Sequence, residues 1–487
     1  MKSYRHEIDG LRGISVILVI FFHAKLPFFS GGFFGVDIFF VISGYLITSI
    51  ILDFNKKDKT FLINFYERRI RRIIPALYVL LVFLVIYSYL FQAPYFSKDL
   101  SQSIFFTPIF LQNFLNIYEA ANYFSLSYDL KSLGHTWSLS IEEQFYFLYP
   151  IIIIFFLKGS KEIIMKLISI LFLISLFLYF YLNFSEKYLI DSFFFTPSRI
   201  WEILFGCILA VKKWKIKKDN FFPSIGMLII LSSVFIQSFF SIEIISRFLV
   251  VIGTGFLLIR SYPSQGCFIG KILKSRILIF FGLISYSLYL WHVPVFSIYR
   301  DFFSYETSYT ENFFLILITI IISFFSYKLI ETPFRKGKKF SSKKVYSFFL
   351  IGLLVFPIYG YYGHISDGFE KNKIANLKDD KKKYYVSFVE EKKKIEKFEL
   401  KKINSAEKIM VIGDSLASDV VYSLNTQNIY AERYGLNGPC FGKLVDNKVA
   451  CNKNLKDLVA TALKSKSVII SSDFVNESSE AGAIKLY

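Results

Sequence analysis

HTWSLSIEEQFYFLYP, residues 135–150, runs directly into the apolar stretch Ile151–Leu157. A segment entering a membrane here would carry a histidine and two adjacent glutamates at its mouth. A charge at the centre of a bilayer costs about 2.5–3.5 kcal/mol, so Glu142 and Glu143 demand partners elsewhere in the chain. Whether such partners exist decides how the whole sequence is read.

The chain has 487 residues, 54% of them hydrophobic, and a mean hydropathy of +0.46. Crossing the hydrocarbon takes about 20 apolar residues per helix. Eleven stretches qualify as candidate spans, centred near residues 20, 43, 83, 150, 173, 205, 231, 252, 288, 321 and 354. Lys2 and Arg5 precede the first, but no small-x-small cleavage pattern follows His23, so it reads as a retained helix rather than a signal peptide.

The net charge of +19 is distributed in a telling way. Linkers near 53–73, 158–166, 212–220, 260–276 and 334–344 are basic, whereas those near 92–134, 184–197, 241–243 and 300–311 carry few Lys or Arg. The positive-inside rule then puts the N-terminus in the cytoplasm and everything after the eleventh crossing outside it. This placement speaks for membrane lipid, not nucleic acid, as the partner of the charge. The sequence predicts an all-α polytopic membrane body of ten or eleven transmembrane helices (1–363), a lysine-rich connector (364–405), and a partial extracytoplasmic α/β unit (406–487) with strands in KIMVIGDS and SVIISSDF. Cys440 and Cys451 lie in the exported part, where a disulfide is permitted. No zinc-ligand spacing is present, so no metal is expected.

Ionisable residues inside apolar runs are functional candidates by default. His23 and His292 are the two histidines deepest in predicted spans, against the plain alternative of packing between helices. Arg12 precedes His23 by eleven residues, about 16 Å of helical rise. The two cannot touch on a regular helix, but a long substrate can reach both. Asp37 begins the second span, near the level of His23. FYERRIRRIIPA, 65–76, presents Arg68, Arg69, Arg71 and Arg72 on one broad face at the inner surface. Arginine forks suit phosphate oxygens, and anchoring to anionic lipid is the competing reading. His135, Glu142 and Glu143 fall at the outer end of the fourth span, with Arg199 and Glu202 starting the sixth from the same side. By helix direction, His23, Asp37, Glu142, Glu143, Arg199, Glu202 and His292 are expected to converge on one polar cavity in the outer half, where mutual pairing offsets their burial.

DGLRGISVILVIFFHA, GGFFGVDIFFVISGYLI, RRIRRIIPA, HTWSLSIEEQFYFLYP, SRIWEILFG, ISYSLYLWHVP and IETPFR, in that order over residues 5–335, resemble the type-3 acyltransferase family of integral-membrane O-acyltransferases. The resemblance implies transfer of an acyl group, often acetyl, from cytosolic acyl-CoA to a hydroxyl of a cell-surface glycan or its lipid-linked precursor, in the cytoplasmic membrane of a bacterium. Acyl-CoA is then a donor substrate and no cofactor is bound permanently. The family's arginine-x10-histidine pattern falls on Arg12 and His23, its arginine-x-x-arginine pattern on Arg69 and Arg72, and its glutamate before Gln-Phe-Tyr on Glu143. The implied roles are a general base or transient acyl carrier for His23, an orienting or reprotonating partner for Glu143, and CoA-phosphate ligands for Arg12, Arg69 and Arg72. Asp37, Glu142, Arg199, Glu202 and His292 would support the cavity.

VIGDSLASD, 411–419, resembles the first block of an SGNH hydrolase-type domain, with Ser415 in the nucleophile position. That site needs a late histidine, yet none follows His364, and the sequence runs only 72 residues past Ser415. Truncation, decay or completion by another chain stay open, the first two being favoured. A transporter or flippase is the rival reading of the membrane body, since translocation pathways also carry buried charge.

Overall fold

In the computed structural model, the described residues are 4–53, 60–120, 128–156, 161–184, 188–212, 220–240, 242–260, 267–303, 307–336, 340–375, 409–413, 431–435 and 467–471. The chain divides into two units, Met1–Glu370 and Lys371–Tyr487.

The first unit is helical among its described residues. Its long helices are α1 (His6–His23), α2 (Gly35–Leu52), α3 (Phe61–Leu90), α4 (Trp137–Phe156), α5 (Lys161–Asn183), α6 (Thr196–Val211), α7 (Phe221–Ile236), α8 (Glu243–Arg260), α9 (Ser285–Phe302), α10 (Tyr309–Ser326) and α11 (Ser342–Ile365). Each of the eleven expected centres falls in one of them. Seven helical segments among the described residues are long and apolar enough to cross a membrane, and an eighth is counted if the bent pair Arg276–Leu283 and Ser285–Phe302 is one span. α1 and α8 carry three charged residues each (Glu7, Asp9 and Arg12; Glu243, Arg247 and Arg260), and α7 has only 16 residues. Of these charged residues, Glu7, Asp9 and Arg247 are buried. The protein is a multi-pass membrane protein. α5 shows the lipid-facing pattern, with Ile170, Leu173, Ile174, Phe177 and Tyr181 exposed.

Two glycines set a close helix crossing. A Cβ on Gly44 of α2 would sit 1.8 Å from the Ile203 carbonyl oxygen of α6, and one on Gly206 would sit 2.1 Å from that of Val41. Only hydrogen at these positions lets the two backbones touch, the small-residue packing expected between membrane helices. This contact presses the start of α2, with Asp37, against the start of α6, with Arg199.

After His23 the chain doubles back through Lys25 (φ 50°) and Phe28 (φ 68°) and a short 3-10 turn, Ser30–Phe34, into α2. Non-glycine residues in the left-handed region are uncommon, and here they bring the ends of α1 and α2 to one level.

The second unit, taken by itself, shows three parallel strands, β1 (Ile409–Gly413), β2 (Ala431–Gly435) and β3 (Ser467–Ser471), in the order β2-β1-β3. β1 and β3 lie in the two stretches read as strands. β2 has the sequence AERYG, which lacks the apolar run that marks a buried strand. Ser415, Cys440, Cys451 and connector residues 376–405 lie outside the described residues.

Candidate active site

Two cavities open along α1. The first has a volume of about 90 Å³ and is lined by Arg12, Arg69, Arg72, Glu142, Ser43, Tyr146 and Ser285 among others. Arg12 Nη2 donates to Ser285 Oγ at 2.8 Å. The Arg69 guanidinium lies over the rings of Tyr146 and Phe65, 5.3 and 5.4 Å from their centroids. Glu142 accepts from Ser43 at 2.8 Å and from Tyr146 at 3.1 Å. Three guanidinium groups and one carboxylate line this arginine chamber, with Asp9 3.9 Å from Arg12 beside it, and guanidinium forks suit phosphate.

The second cavity has a volume of about 370 Å³ and is lined by His23, His135, Arg199, Asp129, Lys25, Trp137 and Tyr289 among others. His23 Nδ1 lies 3.0 Å from the Val19 carbonyl oxygen. A carbonyl only accepts, so Nδ1 carries the hydrogen and the neutral ring keeps its lone pair on Nε2. His292 Nδ1 bonds likewise to the Tyr289 carbonyl at 2.7 Å, leaving its buried Nε2 without a partner. The buried His135 ring lies against the backbone of Tyr289 and Leu290, and among the described residues no side chain hydrogen-bonds to either of its nitrogens. The three imidazoles form a row, with ring centroids 4.8 Å apart for His23 and His292 and 5.1 Å for His135 and His292. Among the described residues, no three His, Cys, Asp or Glu side chains are arranged to hold a metal ion.

The mouth of this imidazole chamber is bordered by charge. Lys25 pairs with Asp129 at 2.6 Å, and Arg300, buried against Phe296, donates to the His23 carbonyl at 3.0 Å. Burial works against the Asp129 carboxylate, but the Lys25 hydrogen bond and the Arg300 charge hold its pKa below the usual range. Behind the chamber, Asp37 Oδ1 accepts from Arg199 Nη2 at 2.8 Å and pairs with Arg247 Nε at 3.3 Å. Arg199 Nε also donates to Glu202 at 2.8 Å, and the guanidinium is packed among Phe40, Trp137 and Phe193.

The sequence profile of the family described as "Acyltransferase domain" matches residues 5–328, which contain every residue of both chambers. The chain belongs to the type-3 acyltransferase family. The O-acetyltransferase OatA of Staphylococcus aureus (strain NCTC 8325 / PS 47) is 32% identical over 357 residues, 68% of this chain and 57% of the relative. The peptidoglycan O-acetyltransferase OatA of Listeria monocytogenes serovar 1/2a is 33% identical, covering 69% and 56%. A putative O-acetyltransferase of S. aureus strain MSSA476 is 34% identical, covering 68% and 58%. The chain thus spans somewhat over half the length of these relatives. No solved structure matches it.

Against this acyltransferase frame, the one outer cavity expected from the sequence is corrected to two. Glu142 sits seven residues past His135, about 10 Å further along, and that rise carries it into the arginine chamber. Glu143 neighbours Arg69, Glu142 and Arg72, and among the described residues it makes no contact with His23. Asp37 and Glu202 stand behind Arg199 rather than in the open cavity. The four arginines of α3 do not act as one face. Arg69 and Arg72, a turn apart, line the chamber, whereas Arg71 turns to Glu67 at 2.7 Å and to the Phe340 carbonyl at 2.9 Å, and Arg68 is exposed. His135, Arg247, Arg300 and Tyr289 are members the sequence reading does not single out as site residues. For His135, Arg247 and Arg300, the signal was an ionisable side chain beside or within an apolar run.

Proposed function

We propose that this protein is a membrane O-acyltransferase that moves an acetyl group from cytosolic acetyl-CoA to a hydroxyl of a cell-surface glycan, in the cytoplasmic membrane of a bacterium, with the N-terminus inside. The observation that carries the reading is the pair of chambers on one set of helices, one rich in arginine and one in imidazole. The names of the relatives support acetyl as the group moved and cell-wall glycan as the acceptor class.

Arg12, Arg69 and Arg72 hold the phosphates of the donor. The donor's arm extends the roughly 16 Å from Arg12 toward His23. His23 Nε2 takes the proton of the acceptor hydroxyl as its oxygen attacks the thioester carbonyl. The C–S bond breaks, the acyl group stays on the acceptor oxygen, and the proton passes to the departing thiolate to give free CoA. His292 and His135 lie beside His23 where the imidazolium forms. Glu143 acts on Arg69, holding the donor end. The SGNH-like reading of residues 411–419, with Ser415 in the nucleophile position, is a separate proposal and supplies no step of this reaction.

The test is purified protein in proteoliposomes with labelled acetyl-CoA and glycan strands released from peptidoglycan. Ester formation that disappears in His23→Ala, with the variant still membrane-inserted, is the expected result. Full activity in His23→Ala removes His23 from the mechanism. Glycan movement into sealed vesicles without ester formation replaces the enzyme by a transporter.

A further inference from the structure

The two chambers share two lining residues, Val36 of α2 and Tyr289 of α9. Tyr289 is pinned from both sides. Its hydroxyl donates to the His135 carbonyl at 2.7 Å and lies 2.5 Å from Ser138 Oγ. His135 lines the imidazole chamber and Ser138 the arginine chamber, so the phenol ring stands in the wall between them. Val36, 8% exposed, is the side chain common to both chambers on the other helix.

We propose that Tyr289 and Val36 form the aperture through which the acyl end of the donor enters the imidazole chamber, and that this aperture selects acyl groups by width rather than by length. The inference rests on the donor reading above. With phosphates at the arginines and reaction at His23, the acyl group leads the way past these two side chains. A straight chain keeps one cross-section however long it is, and the chamber beyond, about 370 Å³, has room for several more methylenes. A branched acyl group is wider at its leading carbon. Two hydrogen bonds fix the Tyr289 ring, so the opening cannot widen by simple rotation of that side chain. Close-packed walls punish a single misplaced methyl.

The experiment compares acetyl-, butyryl-, isobutyryl- and pivaloyl-CoA in the proteoliposome assay, following both CoA thiol release and ester on glycan strands. Wild-type protein should use butyryl-CoA within a few-fold of acetyl-CoA and disfavour isobutyryl-CoA by about tenfold or more, the size of discrimination one methyl gives in a tight apolar site. Val36→Ala should shrink that ratio at least about threefold. Val36→Phe should stop transfer from every thioester while CoA still binds the arginine chamber, measured by calorimetry on the monodisperse protein. Tyr289→Phe, which keeps the ring and removes its two ties, should relax the selectivity without reversing it. Equal use of butyryl and isobutyryl groups, a cut-off by chain length alone, or wild-type transfer by Val36→Phe overturns the aperture. Wild-type protein inert to every thioester overturns the donor reading instead, and the aperture with it.

Discussion

The buried arginine–carboxylate network makes a sharp demand on stability. Asp37 and Arg199 are each 1% exposed at the side chain and 2.8 Å apart, and Arg247, also 1% exposed, stands 3.3 Å from the same oxygen. At an effective dielectric of about 20, a unit pair separated by roughly 4 Å attracts by about 4 kcal/mol before desolvation. Asp37 serves two arginines, and the burial cost of its own carboxylate cancels part of that gain. Asp37→Ala should therefore cost about 3–5 kcal/mol, the usual result of stripping one partner from a buried pair. Each arginine keeps one carboxylate (Glu202 for Arg199, Glu243 for Arg247), which holds the loss to that range. Asp37→Asn keeps an oxygen to accept from Arg199, and a hydrogen bond to a charged group is worth about 1.5–3 kcal/mol, so it should cost about 2 kcal/mol. Glu243→Gln is the control. Its side chain is 42% exposed, and solvent screening limits its loss to about 1 kcal/mol or less. The assay is reversible unfolding in mixed micelles with rising detergent denaturant, read by tryptophan fluorescence. The reasoning fails if Asp37→Ala and Glu243→Gln unfold at the same midpoint.

Further outcomes follow from the two chambers. His23→Gln should lower kcat about 10²–10⁴-fold with little change in the KM for acetyl-CoA, whereas Arg69→Ala should raise that KM about ten- to a hundredfold; steady-state kinetics separates them, and identical patterns would deny that the chambers do different work. His135→Phe should cost little stability, since the ring is buried with no side-chain hydrogen bond among the described residues, yet lower acyl transfer; full activity with lost stability would assign His135 to packing alone. Gly206→Ala should fail to give monodisperse protein, because its Cβ would meet the Val41 carbonyl oxygen at 2.1 Å; size-exclusion chromatography decides.

The positions of helices were legible in the sequence because hydrocarbon thickness imposes a length on apolar stretches, and His23, Arg12, Arg69 and Arg72 were legible because charge inside such stretches is costly. Depth and adjacency were not. A positive-inside count assigns each linker a side, but it does not say how far into the bundle a residue lies, and so Glu142 was placed with His23 although seven residues of helix carry it away from His135. Nor does a sequence reveal that Gly44 and Gly206 meet, the contact that presses Asp37 onto Arg199 and draws in Arg247 from α8. The depth becomes readable once three helices are compared. Along α1, Arg12 leads to His23. Along α9, Ser285 leads through Tyr289 to His292. In the segment that begins the fourth span, Glu142 leads back to His135. The first and third pass from the arginine chamber to the imidazole chamber over eleven and seven residues, roughly 16 and 10 Å, and α9 ends its seven-residue rise at His292, buried against the rings of His23 and His135. Three independent stretches stepping by similar rises between the same two environments are hard to reconcile with scattered structural ion pairs. On the proposed reading they describe a passage, whose length a donor with phosphates at one end and a thioester at the other would have to match.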